Sequence, residues 1–411
     1  MTTRLSLGRV LVLTTALAAA AVPALADQAD RETLRQAFEH VGMAKEAAGH
    51  DIELLNEIID EYADRHVDGP DSHMLAATAA AAIIAAPAGG FRAATAALTQ
   101  ALDPHSTYLP EQEWKDMQVT VSGQFSGLGL ELAKKDQAIV VIAPVENSPA
   151  AEAGILADDQ ILEINEQPVQ GLPLTEVVHR IRGPVGSPVN LLLRSRDGRD
   201  RRLSLVRGII HLHPVAARLM DDVAYVRLSR FSGGVTALLR QKLDDLNHQA
   251  AFGVKGVVLD LRGNPGGLLD EAVKVSDLFI GAVPIVITKG RAPDDTHRRM
   301  GHRGEILAGV PMVVLIDDNT ASAAEIVAAA LHDNHRALLV GQKSYGKGSV
   351  QILEGLSEGG VRITIARYFR PNQQPVDQIG IPPDITVETK DGETKDGGDR
   401  QLEQALTSLH R

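Results

Sequence analysis

Two positions in this chain carry groups whose types and spacing could support acyl transfer. The apolar run PMVVLIDD leads into DNTASAAEI, so Ser322 stands just after a strand pattern and at the first turn of an alanine-rich helix pattern. Backbone N–H groups at a helix N-terminus are unpaired and carry positive partial charge, and they can stabilise an alkoxide or an oxyanion beside them. The plain alternative is a helix cap, a role for which Ser, Thr and Asn are all favoured. Asn319, Thr320 and Ser322 compete for it, which leaves at least one hydroxyl spare.

A serine nucleophile needs a base. None of the 14 histidines stands beside Ser322, and no HExxH pair occurs. His332 and His335 fall at the far end of the same helix, roughly 15 Å away at the α-helical rise. The HLH at 211–213 has no third ligand in view. The remaining candidate is Lys347 in GQKSYGKGS, Gly341 to Ser349, a stretch one residue away from a phosphate-binding loop: Gly348 occupies the place of the magnesium-binding hydroxyl. A lysine can act as a base if burial and neighbouring partial charge hold its amine neutral near pH 7. Gly346 and Gly348 would let the backbone approach a neighbouring element. In the strand that follows, Lys347, Ser349 and Gln351 share a face, so the Gln351 amide could hold the amine in place. A solvated loop lysine is the alternative. Two other serine motifs compete. Ser344-Tyr-Gly-Lys347 matches S-x-x-K but lacks the S-D-N and K-T-G partners, and Gly355-Leu-Ser357-Glu-Gly359 matches G-x-S-x-G but lies between two strand patterns rather than at a strand–turn–helix. Both read as chance matches.

The compartment bears on these choices. Arg4 and Arg9, an apolar run from Val10 to Val22 and Ala24-Leu25-Ala26 have the form of a secretory signal, giving an expected periplasmic or otherwise exported chain cleaved near Ala26. An uncleaved anchor is the alternative. ATP is scarce outside the cytoplasm, which weakens the nucleotide-loop reading. The formal net charge is −12, and the signal carries two of the 41 basic residues and none of the 53 acidic ones. That balance argues against a nucleic-acid partner. With no cysteine, disulfides and thiolate metal sites are excluded.

The elements that must position these groups fall into three textures. From 27 to 117, apolar residues recur at helical spacing (Leu34, Phe38, Val41; Ile52, Leu55, Ile58, Ile59, Tyr62), an alanine-rich stretch is broken at Pro87 and Gly89-Gly90, and LDPHSTYL closes the region. From 118 to 208, short alternating segments with one helix over LTEVVHRIR predict a compact β-rich module. From 209 to 389, strand and helix patterns alternate as in a layered α/β domain, with RALLVG, SVQILEG and VRITIARYF expected to complete its sheet. A polar linker and a short helix fill 390–411.

The segment DNTASAAEIVAAALHDNHRALLVGQKSYGKGSVQ resembles the signature of the carboxyl-terminal processing peptidases, the tail-specific serine proteases of family S41. LDPHSTYL, the PDZ-like run from FSGLGLEL to QILEINEQPV, VVLDLRGNPGGLLDEAV and GIPPDI extend the resemblance over most of the chain. It implies a multidomain α/β protein with an N-terminal helical region, a β-rich PDZ domain and an α/β layered serine protease core. It implies Ser322 as nucleophile, Lys347 as base and Gln351 as its partner. The oxyanion hole would use the backbone N–H of Ala323 and of Gly266, with Gly267 as the alternative. Leu128, Gly129 and Leu130 would take a peptide C-terminus in the PDZ domain. No metal or other cofactor is implied. The implied substrates are unstructured protein C-termini, including those of cell-wall enzymes. A helical-repeat adaptor and a homo-oligomer are further implied partners. Some relatives use an acidic group on the nucleophile helix, here Asp333. Eleven residues separate it from Ser322, and it reads as a structural carboxylate. Departures from the pattern are Ala324 in place of a second serine, a longer alanine-rich segment before LDPHSTYL, and RPNQQPVDQ in place of P-x-G-R-x-I. The rival from another class is a PDZ scaffold without catalysis, which would bind tails and cut nothing.

Overall fold

The computed structural model describes residues 28–43, 45–135, 138–145, 147–211, 214–388 and 398–409. The expected signal, Leu212 and His213 of the HLH pair, and most of the polar linker lie outside them. The chain forms two compact units: residues up to Tyr108 together with Gln351–Thr364, and Leu109–Val350 together with Ile365 to the end.

In the first unit, helices Gln28–His40, Lys45–Arg65, Ser72–Ala85 and Gly90–Leu102 bury the residues that recur at helical spacing, among them Leu34, Phe38, Leu55, Ile58, Ile59 and Tyr62. Asp71 starts the third helix by accepting the Met74 N–H, and Pro87–Gly89 ends it in a 3-10 turn. Alanine lets these helices approach closely, and a Cβ at Gly90 would press on Phe38 and Ile83 at 3.2 and 3.3 Å. LDPHSTYL then makes a turn around Asp103, whose carboxylate accepts the N–H groups of His105 and Ser106, the Ser106 hydroxyl and His66 Nε2. The same turn fastens the 351–364 hairpin: Thr364 N–H donates to Ser106 Oγ, and Arg362 donates to the His105 carbonyl.

In the second unit, helix Glu111–Ser122 runs through the boundary expected at 117/118 and stops at Gly123, which takes the left-handed conformation a helix C-terminus favours. A β-rich module follows. Strands Leu130–Lys135, Ala138–Pro144, Gln160–Ile164, Pro188–Arg194 and Asp200–Val206 pair in that order, with Gln167–Pro168 on the third. Helices Pro149–Glu152 and Leu174–Ile181 accompany the sheet.

The α/β region is built on a six-stranded sheet ordered Val215–Met220, Val223–Leu228, Gly256–Asp260, Met312–Ile316, Leu338–Gly341 and Ile385–Thr386, antiparallel at the first pair and parallel after it. Alternate side chains enter two cores. Val257 and Leu259 pack with helices Val235–Gln249, Leu269–Phe279 and Ala323–Asp333, whereas Val258 packs with Leu402 and Ala405 of the C-terminal helix Arg400–Ser408. Cover on both faces explains the continuous apolar runs VVL and MVVLI.

One expectation is corrected. The last two of these strand patterns, SVQILEG and VRITIARYF, do not complete this sheet. Pro284–Lys289 pairs antiparallel with Thr296–Met300 on one side and with Arg367–Phe369 on the other, forming a separate sheet. Thr296–Met300 reads THRRM and is exposed throughout, so no apolar pattern announced the partner that draws Pro284–Lys289 away.

Candidate active site

The loop between strand Met312–Ile316 and helix Ala323–Asp333 is folded by its own polar side chains. The Asp317 carboxylate accepts the Gly263 N–H at 2.9 and 3.1 Å, and the Asp317 N–H donates to Thr320 Oγ1 at 2.9 Å. Thr320, wholly buried, donates to the Leu261 carbonyl, so of the residues competing for the cap it serves the loop. Ser322 is the N-cap residue, with φ 55° and ψ −120°. A side chain enters that region only under constraint, typically at a cost of about 1–3 kcal/mol. The strained strand–turn–helix that a nucleophile elbow requires is therefore at Ser322, whereas Ser357 sits in the turn of the 349–369 hairpin with its N–H on Glu57. Because glycine tolerates positive φ, Ser322→Gly is expected to be more stable than Ser322→Ala by about 1 kcal/mol, both being inactive. Paired thermal unfolding curves check this, and coincident curves would mean the backbone relaxes without cost.

The group that organises the site is Glu325, three residues into the motif and fully buried. One carboxylate oxygen accepts the Ser322 N–H at 2.8 Å and the Lys347 N–H at 2.9 Å. The other accepts the Gly346 N–H at 2.7 Å and the Ser344 hydroxyl at 2.5 Å. A single buried acid thus joins the main chains of the two residues singled out from sequence. Burial pushes its carboxyl above the ordinary value, and these four donors pull it back. Ser344, set aside as a chance match, is a buried strut: it donates to Glu325 and accepts the Ile381 N–H at 2.7 Å. Tyr368, also buried, places its hydroxyl at the carbonyls of Lys347 and Ser322.

Lys347 is half-buried, and the glycines beside it have the expected steric role. A Cβ on Gly346 would lie 2.9 Å from the Gly380 nitrogen, and one on Gly348 would lie 2.4 Å from the Asp377 nitrogen, so the turn is laid directly against the 377–380 loop. Asp377 also accepts the Gly348 N–H.

A second glycine pair meets Ser322. The Cα of Gly266 faces it so closely that a Cβ would come within 2.7 Å of Ser322 Cβ. The Gly266 N–H, the first choice as oxyanion donor, already donates to Asn264 Oδ1 at 2.9 Å. Gly266 C=O and Leu268 N–H both bond Phe231, which turns the Gly267 peptide N–H away from that strand. Among the described residues, the N–H groups of Gly267 and Ala323 have no acceptor. Of the two glycines, Gly266 thus has its N–H engaged and Gly267 does not. Asn264, whose side-chain amide donates to Leu228 O and whose main-chain carbonyl accepts the Ala321 N–H, ties this loop to the residue preceding Ser322.

Gln351 lies in the first unit, with Nε2 donating to Thr364 Oγ1 at 3.3 Å. Asp333 is paired with Arg370 and His332 at the helix end, in keeping with a structural role. In the β-rich module, Leu130–Lys135 is an edge strand. The N–H groups of Leu128 and Gly129 before it have no acceptor among the described residues, while their carbonyls accept from Ala150 and Val145. Gly129, at φ +75°, passes so close to Ser148 that a Cβ would sit 2.3 Å from the serine Cβ. Val177 and Ile181 of helix Leu174–Ile181 share an apolar cluster with Leu128 and Leu130.

Comparison with known proteins bears on the family and the fold. A model for peptidase family S41 matches residues 222–387, and a PDZ domain model matches 118–194, ending one strand short of the sheet seen here. The carboxy-terminal-processing protease of Bartonella bacilliformis is 42% identical over 291 residues, covering 70% of this chain and 67% of that protein. The carboxyl-terminal-processing protease of a Synechocystis species is 39% identical over 295 residues, covering 70% and 68%. Among solved structures, the photosystem II D1 C-terminal processing protease superposes with a TM-score of 0.50 at 27% identity, over 82% of this chain and 93% of its own. An S41 protease structure from Bacteroides fragilis, at 16% identity and TM-score 0.52, shares the fold.

Proposed function

Because the chain belongs to peptidase family S41, as a carboxyl-terminal processing protease with a PDZ domain, we propose that it cuts peptide bonds with a Ser322–Lys347 dyad. The neutral amine of Lys347 takes the Ser322 proton as Oγ attacks the scissile carbonyl carbon. The resulting oxyanion is held by the N–H groups of Ala323 and Gly267. As the C–N bond breaks, the Lys347 ammonium returns the proton to the departing amine. Water, deprotonated by Lys347, then releases the acyl group and restores Ser322. The observation that carries this reading is the shared Glu325 carboxylate, which holds the main chains of a strained serine and of a lysine together. Gln351 is assigned as the partner of the lysine amine by resemblance.

The substrate reading rests on the β-rich module. An extended tail added to the Leu130–Lys135 edge would present its carboxylate to the Leu128 and Gly129 N–H groups and its last side chain to the apolar cluster beyond. The preferred substrates are therefore unstructured proteins with apolar C-termini. Export is part of the proposal and is supported by the Arg-flanked apolar run and the ALA site before Asp27.

The test is cleavage of an unfolded protein bearing an apolar C-terminal tail. Wild type and Ser357→Ala are expected to cut it. Ser322→Ala is expected to bind the tail and leave it whole, and cutting by that variant would remove the mechanism.

A further inference from the structure

We propose that Tyr368 is a positioning residue that sets the separation of the Ser322 and Lys347 main chains. The inference rests on the dyad reading and adds a group that neither the motif nor the fold assigns. Tyr368 sits on strand Gly360–Phe369, opposite Thr288, and is 2% exposed. Its own N–H donates to the Gly348 carbonyl at 2.8 Å, so its backbone already holds the lysine turn. Its hydroxyl donates to the Lys347 carbonyl and lies 3.2 Å from the Ser322 carbonyl.

The pattern complements the one made by Glu325. The acid takes the N–H of Ser322 and the N–H of Lys347, and the phenol stands at the C=O of each. The two buried side chains thus meet both polar main-chain groups of each residue, the Ser322 carbonyl also accepting the N–H groups of Glu325 and Ile326. Burial, and after it the nearby Glu325 carboxylate, raises the phenol well above its ordinary value, so near neutral pH it is a donor. A phenol has one proton and can bond one carbonyl at a time. It therefore draws both toward a single oxygen without cross-linking them rigidly. Without it, the Lys347 carbonyl loses this donor, the Ser322 carbonyl keeps the Glu325 and Ile326 N–H groups of its own helix, and the lysine turn is held to the serine through Glu325 and the Tyr368 main chain. Displacement of a catalytic group by about 1 Å can cost about a hundredfold in rate.

The test uses the full chain and an active-site fluorophosphonate, with peptide cleavage followed in parallel. In Tyr368→Phe, kcat and the rate of Ser322 labelling are expected to fall together by about ten- to a hundredfold. The final labelled fraction should stay near that of wild type and KM within about twofold. A merely structural role would instead lower the labelled fraction in proportion to activity and leave the rate per labelled site intact. That outcome, or an unchanged rate, overturns the proposal. Replacing Tyr368 with p-aminophenylalanine, which keeps a donor in the same place, should recover most of the lost rate, and failure to do so also counts against it. Lys347→Ala separates the two levels. If that variant is labelled at the wild-type rate, the dyad reading fails. If it is slow while Tyr368→Phe is fast, only the positioning role falls.

Discussion

Lys347→Ala is expected to lower kcat/KM for tail-bearing substrates by at least about a thousandfold, and Lys347→Arg is expected to be equally inactive. A positioned general base typically supplies about 10²- to 10⁴-fold. In the proposed mechanism the same amine also returns the proton to the leaving group, so the loss should lie toward the upper end. The arginine variant decides what the lysine does. Arg keeps the positive charge, but its guanidinium does not give up a proton in proteins, so it can support an electrostatic role and not a basic one. The Lys347 N–H that bonds Glu325 belongs to the main chain, so neither substitution removes that anchor. Both variants should therefore retain the fold and bind an apolar tail as wild type does. Groups that act as a unit are not additive, and the Ser322→Ala/Lys347→Ala double variant should be no worse than either single one. Steady-state cleavage and fluorophosphonate labelling rates across wild type and the four variants check these expectations. An Arg variant with substantial activity would show that Lys347 acts as a charge, and the base would have to be sought elsewhere.

Much of this site was legible because its chemistry follows from local pattern. A strand running into an alanine-rich helix placed Ser322 at a helix N-terminus, and two glycines around Lys347 foretold a turn close to another backbone. What stayed hidden depends on partners distant in sequence. Ser322-Ala-Ala-Glu325 spells a capping box, so Glu325 reads as a local helix-start device, and only the folded chain brings Ser344, Gly346 and Lys347 to its carboxylate. Tyr368 carries no mark of a role in its strand pattern, and Ser344 reads only as part of a chance S-x-x-K match. Of Gly266 and Gly267, the structure engages the N–H of Gly266 with Asn264, and a glycine pair carries no sign of that in sequence. The separate antiparallel sheet escaped for a related reason. Period-two patterning says that a segment is a strand but not which strand it joins, and its hairpin partner is a charged edge that avoids any apolar signature.

Glu325→Gln is expected to reduce kcat by about a hundredfold or more and to weaken the fold, because an amide cannot replace a carboxylate that accepts four donors. A glutamine has one acceptor oxygen. It can serve either the Ser322 and Lys347 N–H groups or the Gly346 N–H and Ser344 hydroxyl, and its NH₂ then faces the other pair. Two orphaned donors at about 1–3 kcal/mol each imply a loss of about 2–6 kcal/mol. The pH dependence of wild type tests the same geometry from the other side. Burial, the largest influence, raises the Glu325 carboxyl above its ordinary value against the pull of Ser344 and of the Lys347, Gly346 and Ser322 N–H groups. Since the folded value lies above the unfolded one, the linkage contribution of this group to stability is fully present below the unfolded carboxyl value and is lost as pH rises through the folded value. On acidification a proton therefore enters Glu325 more readily in the folded chain than in the unfolded one. It displaces a donor and loosens the Ser322–Lys347 arrangement without favouring unfolding. Activity should accordingly fall on the acid side over a range in which the melting temperature does not fall with it. In Glu325→Gln, which already lacks the second acceptor, that part of the acid limb should be missing. Measuring kcat and melting temperature against pH for both proteins tests the argument, and a Gln variant with wild-type kcat and an unaltered acid limb would show that the shared carboxylate does not hold the two residues in register.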